Sequence, residues 1–383
     1  MRIKQFPRRR LALLLAVLAL LTLCACGGAD DAPDGTETEK GREAAPPQDT
    51  DDGDEVSEPA DAAEPAEDDF VPTGNVNPLT GLCDGITDAA LARKPVAIMV
   101  SNSYNSLPQW GISQADIIYE MLAEGRITRF MAIFKDPSRI DKLASIRSAR
   151  PYFIDIAQSY GAVYMHFGGS VPAYDAIAAR KDLIALDGIR GGWEGTLYNR
   201  DPQRRKEIGY EHSVFVTGQS VETALSSLKQ DLTQAEQPSA FRFASTPSSA
   251  AGTAANKVTL TFSERHKPWF EYDAEKGTYL RWQYGDPHMD AWLDCQIEVK
   301  NLLVLRMETT DVPGSELKLV EIDTTGTGEG YYFCEGKYIP ITWEKAACNA
   351  PIAYYDLDGA PLELARGKTF VSVVTKGAEV VIE

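Results

Sequence analysis

A chain of 383 residues, 44% of them hydrophobic, is long enough for more than one core, and its net charge of −18 leaves no basic footprint for nucleic acid. The acidity is uneven, because residues 27–72 hold seventeen Asp or Glu against Lys40 and Arg42, so the remainder is only mildly acidic. Binding to polyanions through a general positive field is therefore excluded.

At the start of the chain, Arg2, Lys4, Arg8, Arg9 and Arg10 precede an apolar run, Leu11 to Leu23, broken only by Thr22. The run falls short of the roughly 20 residues that span a bilayer but fits the apolar region of a signal peptide. Leu23-Cys24-Ala25-Cys26 has the residue order of a lipoprotein signal. Residues 1–25 are thus expected to be removed, leaving a lipid on Cys26 at the extracytoplasmic face of the cell membrane. Residues 26–72 are too polar and too charged to form a core, which predicts a disordered acidic tether reaching roughly 40 Å as a random coil. Four cysteines follow: Cys83, Cys295, Cys334 and Cys348. In an oxidising compartment cysteines pair, and Cys334 with Cys348, across an expected hairpin, is the preferred bridge; pairing of Cys83 and Cys295 is left open. No two cysteines have the close spacing of a zinc knuckle and His166, His212, His266 and His288 are scattered, so no metal and no cofactor is expected.

Residues 73–243 alternate strand and helix patterns. Pro95–Val100, Ile127–Phe134 and Ala162–Phe167 read as strands, and Pro151–Tyr160, Val171–Ala179 and Val221–Leu232 as helices. Asp116–Glu124 fits a helix or one arm of a hairpin, and we read it as a strand. The pattern predicts an α/β layered domain with a mixed sheet. Residues 244–257, rich in Ala, Ser, Thr and Gly, form either a linker or a long loop. Residues 258–383 carry short alternating runs such as Val258-Thr259-Leu260, Trp269–Tyr272 and Thr278–Trp282, which predict a β-rich second domain and an α+β protein overall.

Several strings have a likeness beyond periodicity. Asn77-Pro78-Leu79-Thr80-Gly81-Leu82, Ala115–Glu120, Glu124–Phe130, Arg147-Ser148-Ala149-Arg150-Pro151 and His166-Phe167-Gly168-Gly169-Ser170 resemble the YerB-like lipoprotein family, whose domains are of unknown function and numbered 3048. Lys300-Asn301, Thr342–Lys345 and Gly367-Lys368-Thr369 resemble that family's C-terminal domain. The resemblance implies an envelope lipoprotein with an α/β and a β-rich part, and supplies no catalytic residues.

The residues themselves single out one region for ligand chemistry. Arg147 and Arg150 stand before the helix opening at Pro151, where unpaired N–H groups and the helix dipole favour an anion. The strand ending at His166 runs into Gly168-Gly169-Ser170 and a second helix, at the strand end where α/β sheets gather ligands. Arg129 lies within a strand and needs a carboxylate, solvent or a ligand; Glu120 and Glu124 are its candidate partners, or a carboxylate pair for acid/base work. Asn102, at the end of the first strand, suits a polar ligand. Each residue has a structural reading beside the functional one: an internal ion network for the arginines and glutamates, a satisfied histidine, a turn, a helix cap at Ser170. Gly168-Gly169-Ser170 lacks the second glycine of a nucleophile elbow, and no stretch of the sequence names a reaction. The expected function is a lipid-anchored envelope protein binding an anionic or polar cell-wall-related ligand. The alternatives are an enzyme acting on phosphorylated envelope lipid or glycan, as phosphotransferase or hydrolase, and a protein-interaction scaffold.

Overall fold

Apolar runs with scarcely a polar interruption form strands covered on both faces, and three of them lie side by side at the centre of this protein. The computed structural model describes residues 69–234 and 241–383; the signal segment, Cys26 and nearly all of the acidic tether lie outside them. β1 (Val96–Ser101), β2 (Ile117–Leu122) and β3 (Thr128–Phe134) are buried at every position. β2 and β3 form an antiparallel hairpin around the turn Glu124–Arg126, where Gly125 and Arg126 both have positive φ. β4 (Val163–His166) runs parallel to β1, and β5 (Ala185–Asp187) parallel to β4.

The helices keep the punctuation expected of them. α1 (Pro151–Ser159) starts with proline at its first position, and α2 (Val171–Ala179) is capped by Ser170, whose hydroxyl accepts from the Ala173 amide at 3.3 Å. α3 (Gly218–Ser227) begins with a capping box made by Thr217 and Ser220 and stops before Leu228, short of the expected Leu232.

In the second half, residues read as a linker or long loop contain a 3-10 turn, Ser248–Ala251, and a short strand β6 (Thr253–Ala254). A smaller sheet follows, with β7 (Lys257–Leu260), β8 (Trp269–Asp273), β9 (Thr278–Gln283), β10 (Asp286–Pro287) and β11 (Glu298–Val299). The next strands join the large sheet: β12 (Asn301–Met307), β13 (Gly326–Cys334), β14 (Lys337–Lys345), β15 (Ala353–Tyr355) and β16 (Thr369–Thr375). β17 (Val380–Ile382) returns to the small sheet beside β7. The large sheet has the order β6-β14-β13-β12-β16-β2-β3-β1-β4-β5, with β15 also on β14. It mixes parallel and antiparallel pairs, and the seam between the halves is the parallel pair β2–β16, Ile117 opposite Thr369 through Met121 opposite Val373. The fold is α+β, with a strand-rich second half.

The sheet is the middle layer. On one face Tyr119 meets Tyr160, at the end of α1, hydroxyl to hydroxyl at 2.9 Å. On the other, Phe370 lies between Phe130 and Phe270 of the small sheet, with ring centroids 5.9 and 5.1 Å apart. Each such buried aromatic ring contributes about 1.5–3 kcal/mol of transfer free energy.

The expected Cys334–Cys348 bridge is absent: both thiols are free. The hairpin is there, but Cys334 sits at its turn end, opposite Lys337, whereas Cys348 lies beyond Lys345 at the far end of β14. Eight residues of extended strand place roughly 26 Å between those ends, far past the 7 Å limit for a bridge. Among the described residues no helix is long and apolar enough to cross a membrane.

Candidate functional site

Side chains alternate across a strand, so neighbours in β3 part ways. Thr128 and Phe130 face the small sheet together with Glu120, which Thr128 reaches at 2.7 Å. Arg129 faces the helices, where it meets Glu124 and the Ser148 carbonyl. Glu120 and Asn102, expected beside the arginines, are therefore on the opposite face of the sheet. The candidate residues divide into two buried polar groups.

On the helix face Arg129, Arg147 and Arg150 gather, as expected of residues at the start of β3 and just ahead of α1. Arg129, 2% exposed, gives one guanidinium nitrogen to the Ser148 carbonyl at 2.8 Å and another to Glu124. Arg150 reaches the other oxygen of Glu124 at 2.5 Å and the Ala149 carbonyl at 2.6 Å. Arg147, with 19% of its side chain exposed, pairs at 3.1 Å with Glu211, which is mostly in solvent. Burial and then the neighbouring Arg150 pull the Arg129 guanidinium down to about 9, against the pull of Glu124. Burial would raise Glu124, but Arg129 and Arg150 outweigh it and hold the carboxyl below its usual range. Three cations thus share one partly buried carboxylate and one exposed one. The Nε atoms of all three arginines are buried and have no hydrogen-bond partner among the described residues.

Tyr164 and His166, two residues apart on β4, continue this group. Their rings stack at 5.2 Å, and the Tyr164 hydroxyl lies close enough to Arg150 and Arg129 to feel their charge and the Arg150 backbone amide. His166 is fully buried and burial keeps it neutral, against the Gly168 carbonyl and Asp187. Its Nδ1–H donates to that carbonyl at 2.7 Å, which leaves Nε2 an acceptor without a partner among the described residues. The glycine loop is less open than the sequence suggests. The Gly168 amide is taken by Asp187 at 2.8 Å, the Ser170 amide points to the Ala149 carbonyl, and Ser170 Oγ is the cap of α2. Gly168, at φ +80° and tight against Ile189, is required by the turn, whereas Gly169 packs at ordinary distance against Tyr174. Gly168, Gly169 and Ser170 therefore shape the wall and offer no ready phosphate cradle. Arg204 is buried and bonded to the Ser106 and Pro108 carbonyls.

On the opposite face the halves of the chain close a ring of hydrogen bonds. Arg281, on β9, gives one nitrogen to Glu120 at 2.7 Å and another to His288 Nδ1 at 2.6 Å. The guanidinium only donates, so His288 is neutral with its proton on Nε2, which reaches Gln109 Oε1 at 2.6 Å. Gln109 donates to Asn102 Oδ1 at 3.1 Å, and Asn102 returns to Glu120 at 2.9 Å. His266 Nε2 lies 2.9 Å from the same carboxylate. Burial alone would raise Glu120; Arg281, His266 and Thr128 bring it down to about 2. His288 is held well below its usual range by burial and by Arg281. One carboxylate meets one guanidinium here, and the charge closes. Sequence reasoning named Glu120 and Asn102 but missed Arg281, His266 and His288; an arginine alternating inward with Tyr279 and Gln283 along β9 was the available signal.

A hollow of about 500 Å³ opens at the first turn of α1, between Pro151, Tyr152 and Asp155 and the acidic residues Glu308, Glu321 and Asp323. Tyr152 separates it from Arg129 and Arg150, whose charges it feels. Among the described residues no group of three or more His, Cys, Asp or Glu could hold a metal ion.

Residues 79–231 match the model of the protein of unknown function DUF3048, N-terminal domain, and residues 258–371 match its C-terminal domain. The chain belongs to the DUF3048 family. It is 26% identical over 303 residues to "Putative lipoprotein YerB" of Bacillus subtilis (strain 168), covering 78% of this chain and 85% of that one. The crystal structure of the Bacillus subtilis YerB protein is similar with a TM-score of 0.69 at 25% identity, over 80% of this chain and 99% of that chain. Both DUF3048 segments contribute to the ring, Asn102, Gln109 and Glu120 from one and His266, Arg281 and His288 from the other. The arginine cluster belongs wholly to the N-terminal DUF3048 segment.

Proposed function

We propose that this chain is a lipid-anchored cell-envelope protein, held at Cys26 on the extracytoplasmic face of the membrane, whose arginine cluster binds a phosphate-bearing envelope ligand in exchange for Glu124. The anchor reading rests on the signal sequence and on the relative named as a lipoprotein. The binding reading rests on one observation: Arg129, Arg147 and Arg150 converge with two carboxylates between them and with their Nε donors unpaired. A buried donor without an acceptor costs about 1–3 kcal/mol, a cost an arriving anion removes. Glu124 is placed to exchange, since it is partly open to solvent and begins the three-residue turn at the tip of the β2–β3 hairpin, whose Gly125 and Arg126 are exposed. A phosphate group offers more acceptor oxygens than a carboxylate and matches the guanidinium fork.

Thermal unfolding of the full chain in detergent, with inorganic pyrophosphate as probe, tests this. Glu124→Gln removes the shared counter-charge and is expected to lower stability by about 2 kcal/mol, between the values for surface and buried pairs. Millimolar pyrophosphate should restore most of that loss, and should stabilise Arg147→Ala less than the wild type. Absence of any pyrophosphate effect on both the wild type and Glu124→Gln rejects the anion site. For the anchor, Cys26→Ala should move the protein out of the membrane fraction; retention there overturns the assignment.

A further inference from the structure

A second hollow, of about 400 Å³, lies at the junction of the two halves, away from the arginines. Its walls are Tyr104, Leu107, Pro108, Tyr284, Pro287 and Met289; Gln283 and His288 line it as well, and Asp286 is its single charged lining residue. Tyr104 is 67% exposed, unusual for a large aromatic side chain, and meets Tyr284 edge to face, with centroids 5.3 Å apart and planes at 83°.

Tyr284 occupies a position that a tyrosine fits poorly. It is the first of two residues, Tyr284 and Gly285, joining β9 to β10 with Gln283 opposite Asp286, and both have positive φ. Such two-residue hairpin loops favour Asn, Asp or Gly at that position, and a bulky residue held there is strained. Its contacts explain what the strain achieves. The hydroxyl donates to the Asn102 carbonyl at 3.1 Å and the ring lies 5.0 Å from that of His266, so Tyr284 stands fixed as a wall of the hollow.

The polar group of this hollow is equally specific. Gln283 is 3% exposed and its Oε1 accepts from Arg281 at 2.8 Å, which fixes the amide orientation. Its Nε2 has no hydrogen-bond partner among the described residues. The hollow thus presents a neutral donor in need of an acceptor, two perpendicular aromatic rings, and a carboxylate at the rim, with no lysine or arginine to attract an anion.

We infer that this hollow is a peptide-binding site, taking a short extended segment that sets an apolar side chain against Tyr104 and Tyr284, a backbone carbonyl on Gln283 Nε2, and an adjacent lysine or arginine beside Asp286. A peptide supplies all three groups within two residues, and the rim carboxylate sets its charge. The site is separate in position and in charge preference from the arginine cluster, so each stands or falls alone.

Isothermal titration calorimetry of the full chain in detergent, with Ac-Ala-Lys-Leu-Ala-NH2 against Ac-Ala-Glu-Leu-Ala-NH2, decides it. The lysine peptide should bind measurably and the glutamate peptide at least about threefold more weakly, as expected of an exposed charge pair. Tyr104→Ala should weaken the lysine peptide about tenfold, the scale of an aromatic anchor, and Asp286→Asn should remove the preference between the two peptides. Tyr104 and Asp286 are exposed, so neither change disturbs the core. Pyrophosphate should not compete. Absence of heat at millimolar peptide, equal binding of the two peptides by the wild type, or affinity untouched by Tyr104→Ala would each overturn the site.

Discussion

Glu120 and Glu124 stand four residues apart in the chain and end up on opposite faces of one sheet, each beside arginine and within reach of histidine-bearing elements. Around Glu120 one guanidinium, one neutral histidine and two amides form a closed ring on one fully buried carboxylate that His266 also reaches, although Arg281 Nε is left without a partner among the described residues. Around Glu124 the charges do not match one to one, because two guanidinium groups share the carboxylate and a third lies close by. The same residue types therefore tie the halves together in one place and, under the function proposed above, supply an exchangeable counter-ion in the other. What separates them is stoichiometry and access to water.

The comparison breaks most readily at the ring around Glu120. Arg281→Met leaves Glu120 buried without its cation, a change expected to cost about 3–5 kcal/mol in denaturant unfolding. Glu120→Leu combined with Arg281→Met should recover much of this, since an apolar pair of similar volume replaces a buried ion pair at small net cost. A double variant as unstable as the sum of its parts would mean that the two residues act independently.

Acid should act through the same carboxylate. Glu120 titrates at about 2 in the folded chain against an ordinary 4.5, so the folded state binds this proton less readily than the unfolded state. Its contribution is complete above the unfolded value and is lost as pH falls from about 4.5 to 2, on the order of 3 kcal/mol in all. Asp116 works in the opposite sense: burial pushes its carboxyl up to about 6, so its contribution rises as pH drops from about 6 to 4. The difference in acid stability between the wild type and Glu120→Gln isolates the first effect, and equal slopes below pH 4.5 would remove Glu120 from the ring.

The smallest effect sharpens the other side of the comparison. Ser170→Ala should cost about 1 kcal/mol through loss of the α2 cap and leave pyrophosphate stabilisation unchanged, because Ser170 Oγ already serves the Ala173 amide. Loss of the pyrophosphate effect in this variant would return Ser170 to the ligand.

Much of the architecture was legible in the sequence because it rests on local periodicity. The runs around Val96–Ser101, Thr128–Phe134 and Val163–His166, the proline opening α1 and the serine capping α2 all fall where the pattern puts them. The convergence of Arg129, Arg147 and Arg150 was also within reach, since two of them flank the start of a helix at the strand ends. The pairing of Cys334 with Cys348 was misjudged for want of register: a hairpin places residues opposite each other about its turn, and Cys348 lies outside that span. Glu120 and Asn102 were assigned to the wrong face for a related reason, because alternation shows that neighbours diverge but leaves open which face meets which layer.

The sequence by itself determined the strand and helix periods, the caps, and the uneven distribution of charge, all properties of residues a few positions apart. Only the tertiary structure decided that β16 inserts beside β2, that Arg281 closes a ring with Glu120 across 161 residues of chain, and that Tyr284 stands against Tyr104. The reason is physical: local pattern is set by backbone geometry, whereas the partner of a buried charge is set by which distant strands share a face, a choice made by the packing of the whole core.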